Sequence, residues 1–340
     1  MAKSVSMQNI ADRLGVSKYT VSQALSGKPG VGETTRSEVL AMARALGYRV
    51  RSANGRVGGD LATTAPTGEA VAPGACVHVA ATEIHLQDRS YWLPVMAGIQ
   101  SGCEERSWIC RIATGPLPHD ADRAIGYLVL GNRPSEQLAA LSNRGKPLVL
   151  IDHEDPLIEA DCVMNDNDAA AKLACRHLLG LGCQSIAFVG RDSFSVSFRE
   201  RWWGVRAAVE EWGGKPTSGR RLYKWTVPYG GFGVPERMRQ KIGIAKADKL
   251  PDGFVCANDE IALMLIEALA AEELRTAFAG RIVGIDNIPR SAASTPPLTT
   301  VEMSKEWLGY RAVEMLARRM RQPGLPGEKV ILPARLIVRG

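Results

Sequence analysis

Between Met7 and Tyr48 the apolar positions fall into three short helical patterns. Met7, Ile10, Ala11 and Leu14 recur at i, i+3, i+4 and i+7, which is one face of a helix, and Gly15 ends it. A first helix is therefore predicted from about Gln8 to Leu14. After Gly15-Val16, Ser17 is placed to cap a second helix that buries Val21, Ala24 and Leu25 and turns Lys18, Tyr19, Ser22 and Gln23 outward. A third pattern, about Glu33 to Leu46, offers Val39, Ala43 and Leu46 inward and is closed by Gly47. Two helices joined by so short a glycine turn, with a third behind them, read as a helix-turn-helix head. The outward cation, phenol, hydroxyl and amide suit a major groove, where base edges present donors, acceptors and methyl groups.

Beyond Gly74 the pattern changes to short apolar runs alternating with helical periodicity. Strands are predicted at Cys76–Ala81, Ile125–Leu130, Pro147–Ile151, Ser185–Val189, Gly253–Cys256 and Arg281–Ile285. Helices are predicted at Val95–Arg106, Ala169–Leu181, Trp203–Trp212, Glu260–Ala271 and Glu306–Arg319. This rhythm gives an α/β body with parallel sheets, in which ligands sit beyond the carboxyl ends of strands. The stretch from Ser52 to Gly74 is rich in Gly, Ala, Thr and Pro and reads as a linker. The fold class expected is multi-domain: a three-helix head at 1–50, a linker at 51–74 and a two-lobed body at 75–340. Lobe one is expected at about 75–165 and 298–325, and lobe two at about 166–297 and 326–340.

Charge and composition sharpen this picture. Of the net charge of +6, residues 1–60 carry +5, where phosphates would be met. A chain of 340 residues with 45% hydrophobic content has material for a small head and two cored lobes. The seven cysteines are scattered, without a C-x-x-C pair or a Cys/His metal spacing, as expected of reduced thiols in a cytoplasmic protein with no metal or cofactor. No apolar stretch approaches the roughly 18 residues of a membrane helix, and the N-terminus lacks the order of a signal peptide. No nucleotide loop, nucleophile elbow or H-E-x-x-H pair is present, so catalysis is not expected.

The wording of the head is more specific than its periodicity. The run from Met7 to Gly27, continued by Val31, Thr35-Arg36 and Leu46-Gly47-Tyr48, resembles the start of the lactose- and galactose-repressor family of bacterial transcription regulators. It includes the family's Ala-x-x-x-Gly-Val-Ser-x-x-Thr-Val-Ser core at Ala11, Gly15, Val16, Ser17, Thr20, Val21 and Ser22. The body is similar more loosely, in Gly145–Asp152, Arg201–Gly204, Ala257–Glu260 and Val283–Asn287. The resemblance implies a repressor that is a homodimer with a periplasmic-binding-protein-like body, a near-palindromic double-stranded operator and a sugar-like effector. The second helix supplies the expected DNA contacts, with Lys18, Tyr19 and Gln23 as base readers and Ser17, Thr20 and Ser22 beside them. Val57 falls where the family's hinge helix drives a wedge into the minor groove. Gly55, Gly58 and Gly59 weaken any helix there, and Arg49-Val50 stands where the family has proline.

In the body the resemblance turns Asp152, Arg201, Asn258 and Asp286 into the cleft. Carboxylates accept, a guanidinium fork donates and an amide does both, which suits a polyhydroxylated ligand. Trp92 and Trp225 are candidates for the apolar face of a sugar ring, with Tyr91, His153 and Phe198 close by. The same residues also have structural readings. Asp152 and Asp286 end strands and can cap turns, Asn258 can be a helix N-cap, Arg201 a surface charge, and the two tryptophans lobe core or dimer interface. Induction and co-repression use the same parts and are not separated by the sequence.

Overall fold

The computed structural model describes residues 7–25, 31–32, 34–36, 38–39, 42, 72–115, 123–212, 221–228, 234–245, 250–274 and 276–339. The chain divides into two compact units, Met1–Thr64 and Ala65–Gly340.

In the head, α1 (Met7–Leu14) and α2 (Lys18–Leu25) are joined by a turn in which Gly15 sits at φ 65°, a conformation that costs glycine little. Ser17 caps α2: its Oγ accepts the Thr20 N–H at 3.0 Å and lies 2.8 Å from the Thr20 hydroxyl. Ile10, Ala11, Val21, Ala24 and Val39 are buried together. Residues 34–36, 38, 39 and 42 are helical, so a third helical segment packs through Val39 as its periodicity predicts. Ala43, Leu46, Gly47 and Val57 lie outside the described residues.

The body is built on two six-stranded sheets. The first contains β1 (Cys76–Ala81), β2 (Ile109–Thr114), β3 (Gly126–Leu130), β4 (Leu148–Ile151), β5 (Asp161–Asn165) and β11 (Lys329–Leu332), in the parallel order β11-β5-β4-β3-β1-β2. The second contains β6 (Ser185–Val189), β7 (Arg221–Trp225), β8 (Gly253–Cys256), β9 (Ile282–Asp286), β10 (Thr299–Glu302) and β12 (Arg335–Ile337), in the order β12-β10-β9-β8-β6-β7. Only β12 in that sheet is antiparallel. The central strands are buried on both faces, which is why they read as unbroken apolar runs.

The helices that position the site are α3 (Glu83–Gln87), α4 (Arg89–Glu104), α5 (Ser135–Ser142), α6 (Asn167–Gly180), α7 (Val196–Glu211), α8 (Val234–Ala245), α9 (Asp259–Ala271), α10 (Pro289–Ala293) and α11 (Lys305–Arg321). Polar N-caps fix several starts. Asp166, Ser195 and Asn258 accept the N–H groups of Ala169, Phe198 and Ile261 respectively.

The expected lobe boundaries are corrected near the C-terminus. Thr299–Glu302 pairs with β9 in the second sheet, not the first, and Lys329–Leu332 pairs with β5 in the first, not the second. The chain thus crosses between lobes three times, at Asp166, at Met303-Ser304 and at Pro333-Ala334. Two buried carboxylates account for the difference. Asp259, at the start of α9, accepts from the Thr300 hydroxyl, the Ser291 hydroxyl and the Ile288 N–H, which ties β10 to the second lobe. Asp161, 1% exposed at the start of β5, takes the Arg319 guanidinium and the Glu328 N–H, which brings the chain after α11 back onto the first sheet. Helix α11 crosses α4 closely: a Cβ on Gly98 would collide with the Glu306 carbonyl, and one on Gly309 with the Val95 carbonyl.

Candidate functional site

A cavity of about 240 Å³ lies where the carboxyl ends of the two sheets face each other. From the first lobe it is lined by His85, Asp88, Tyr91 and Trp92 of the α3–α4 segment and by Asp152 and His153 after β4. From the second come the loop Phe194–Phe198, Arg201 of α7, Asn258 after β8 and Asp286 at the end of β9. Both carboxylates leave their strands through unusual backbone: Asp152 has φ 56° and Asp286 φ 117°, followed by Asn287 at 50°. Positive φ at non-glycine residues stores strain and concentrates at functional positions.

Arg201 organises the second-lobe wall. It is 2% exposed, and its Nη2 donates to Asp286 Oδ1 at 3.1 Å, Nη1 to the Ala257 carbonyl at 2.6 Å and Nε to Asn167 Oδ1 at 3.0 Å. Burial works against the guanidinium, but Asp286, Tyr91 and Asp152 outweigh it and hold the cation above its ordinary range. Burial pushes the Asp286 carboxyl up to about 7, with Arg201 pulling the other way.

In the first lobe the Tyr91 hydroxyl donates to Asp152 Oδ2 at 3.0 Å and accepts from Asn165 Nδ2 at 3.0 Å. Burial raises the Asp152 carboxyl and the Tyr91 hydroxyl above their usual ranges. Asp152 Oδ1 and both ring nitrogens of His153 are buried without a hydrogen-bond partner, an arrangement that costs stability unless something fills the site.

Of the residues expected in the cleft, Tyr91, Trp92, Asp152, Arg201, Asn258 and Asp286 are brought together, with His153 and Phe198 beside them. Arg201 is not a surface charge. Asn258 serves as N-cap and cavity wall at once: its Oδ1 accepts the Ile261 N–H at 3.0 Å. Trp225 is corrected. It ends β7 buried in the second-lobe core, its ring 5.2 Å from Phe254, and does not line the cavity. Alternation along β7 puts it on the face that packs inward.

Sequence reasoning missed His85, Asp88 and Phe194. His85 lies on the five-residue α3, and Phe194 in the loop after β6, neither with enough length for a period. His85 packs against Trp92 at 4.5 Å, and Phe194 against Phe198 at 5.2 Å.

In the head, Lys18, Tyr19 and Ser22 are exposed on α2, Tyr19 by 74%, while Gln23 and Thr20 are half-buried. The Ser17 and Thr20 hydroxyls are engaged with each other at the cap. The exposed row thus belongs to a helix whose opposite face is the head's core.

Residues 6–50 match the family described as bacterial regulatory proteins, lacI family, and residues 175–340 match the periplasmic binding protein-like domain. The chain is 28% identical to the HTH-type transcriptional regulator reg1 of Streptomyces lividans, over 98% of this chain and 95% of that protein. It is 25% identical to the HTH-type transcriptional regulator GalR of Lacticaseibacillus casei, over 97% of each. Its fold is similar to that of the Lac repressor dimer bound to operator and the anti-inducer ONPF, with a TM-score of 0.64 at 21% identity, covering 99% of this chain and 98% of that one. It is also similar to the CelR–cellobiose complex, with a TM-score of 0.65 at 20% identity, covering 98% and 99%. A helix-turn-helix head and a periplasmic-binding-protein-like body define a transcription regulator, not an enzyme. The chain therefore carries a lacI-type head at residues 6–50 and a periplasmic-binding-protein-like domain at residues 175–340, and it is similar over nearly its whole length to lacI- and GalR-type transcription regulators. Among the described residues no helix is long and apolar enough to cross a membrane.

Proposed function

We propose that this chain is a cytoplasmic repressor that binds a near-palindromic operator as a homodimer and changes its operator affinity when a sugar-like molecule fills the cavity of the body. The observation that carries the effector reading is the wall of buried, partly unsatisfied polar groups between the lobes, with Arg201 and Asp286 facing Tyr91 and Asp152. Hydroxyl groups complete such a wall, and Trp92 and Phe198 supply apolar faces for a ring. Lys18, Tyr19 and Gln23 of α2 read base edges, with Ser17, Thr20 and Ser22 as further DNA contacts, and Ser17 also caps the helix. Val57 is the wedge of the hinge. The domain division is a head at 1–50, a linker at 51–74 and a body from 75, with lobes exchanged at three crossings.

A dimer sets two heads over half-sites about one helical turn apart, and a ligand that prefers one lobe arrangement shifts the population of operator-competent dimers. The similarly folded CelR–cellobiose complex and an Enterococcus faecium lacI-family regulator with bound ribose support this reading. A thermal-melt screen of the purified protein against sugars tests it. A ligand at 100 times its dissociation constant stabilises by about 2.7 kcal/mol, and loss of that shift in Arg201→Ala assigns it to the cavity. A stabilising sugar whose effect survives Arg201→Ala places the effector elsewhere.

A further inference from the structure

We propose that the cavity selects an uncharged, hydroxyl-rich ligand and rejects phosphorylated and carboxylated ones, because the one cation among its described lining residues is paired with a carboxylate and the other positions it offers are neutral donors and carboxylate acceptors. This rests on the cavity being the effector site and narrows the class of effector.

The charges settle the first part. Among the described residues that line the cavity, Arg201 is the one cation, against Asp88, Asp152 and Asp286. Three of its five N–H groups donate inside the protein, to Asn167, Ala257 and Asp286, and the last of these pairs its charge. Two further cations lie near and point elsewhere. Arg133 donates to the Ala81 carbonyl and to Gln137, its Nε being buried without a partner, and the Lys305 ammonium donates to the Asp286 and Asn287 carbonyls; neither lines the cavity. An anion entering here gives up its hydration among carboxylates, and the one cation among the described lining residues is already paired with Asp286.

The donors are neutral. His85 Nδ1 accepts the Thr82 N–H at 3.1 Å, so the ring proton sits on Nε2 and a second proton has no place. Burial, then the nearby Arg133, lowers this histidine to about 4, in agreement with that geometry. Its Nε2 edge lies over Gly131, at φ 59°, where a Cβ would come within 2.5 Å of it. The Asn258 oxygen is used as the α9 cap, which leaves its NH₂ as the side free to donate. On the accepting side, Asp152 Oδ1 is buried and unpartnered. A hydroxyl donates to Asp152 and accepts from Asn258 or His85; a phosphate oxygen or carboxylate has no proton for Asp152.

Calorimetry on the full-length protein with matched pairs tests this: glucose and glucose 6-phosphate, galactose and galacturonate, ribose and ribose 5-phosphate, cellobiose and cellobionate. At least one neutral sugar is expected to bind, and its charged partner at least about 100-fold more weakly. Comparable or tighter binding of a charged member, or binding by none of the neutral sugars, overturns the proposal. In Asp152→Asn, with its fold checked by circular dichroism, the neutral sugar should weaken while the neutral-to-phosphate ratio falls at least about tenfold; an unchanged ratio counts against the charge account. Operator affinity in the same samples separates the two claims. A sugar phosphate that binds and alters operator affinity overturns the charge selection but leaves the effector reading standing. A neutral sugar that binds with no effect on operator affinity does the reverse.

Discussion

Asp286 is the residue at which protonation and function meet. Its carboxyl is pushed up to about 7 by burial, against the pull of Arg201. The folded value lies above that of an unfolded carboxyl, so the group's stabilising contribution is full at pH below about 4 and is lost as the pH rises through about 7. A bound hydroxyl donating to the carboxylate favours the ionised form, so effector affinity should rise as the pH passes through about 7 and then level off. Calorimetric titrations across that window should show the rise in the wild type and its absence in Asp286→Asn; a flat wild-type profile contradicts it. In the head, Gln23 is half-buried on α2 next to the exposed Ser22. Gln23→Ala should cost about 1 to 3 kcal/mol on the preferred operator and relax preference at one position per half-site. Selection from a randomised operator library that returns the wild-type preference would refute its reading role.

Helix crossings and strand edges decide what the elements can tolerate. Gly98 and Gly309 let α4 and α11 approach with backbone against side-chain-free backbone, so Gly309→Ala must separate two helices that carry much of the first-lobe core. The expected loss is about 1 to 3 kcal/mol or more, read as a lowered midpoint in urea with an unchanged slope. An unaltered midpoint would mean that the helices separate at no cost. The same scale explains what was legible in the sequence. Strands β1, β6 and β8 were readable to the residue because both faces are buried. Strands β2, β7, β11 and β12 were not, because as edges they carry exposed charged residues, among them Arg111, Arg221, Lys224 and Lys329, between their apolar ones. In the site, Asp152, Arg201, Asn258 and Asp286 were legible because they sit in family wording at strand ends or on a helix. Trp225 was misread because a strand-terminal aromatic looks the same whether it turns toward a ligand or toward Phe254.

At the scale of the whole body, the first crossing between lobes is part of the site. Asn165, the last residue of β5, donates to Tyr91, and Asn167, the first of α6, accepts from Arg201 and donates to Glu200. Ligand contacts on either wall therefore reach the backbone segment that joins the lobes, and a ligand changes an equilibrium only by its differential affinity for the states involved. Asn167→Ala should leave a sugar bound within about threefold while reducing its effect on operator affinity by about tenfold or more; full retention of that effect, measured by fluorescence anisotropy, places the coupling elsewhere. The central claim is that occupation of this cavity controls the head. Its most direct test is the anisotropy-measured affinity of the full-length protein for its selected operator, with and without the stabilising sugar, in wild type and Arg201→Ala. The account predicts a change of at least about tenfold in the wild type, or 1.4 kcal/mol, and none in the variant. An operator affinity that ignores the sugar in both proteins, or responds equally in both, contradicts it.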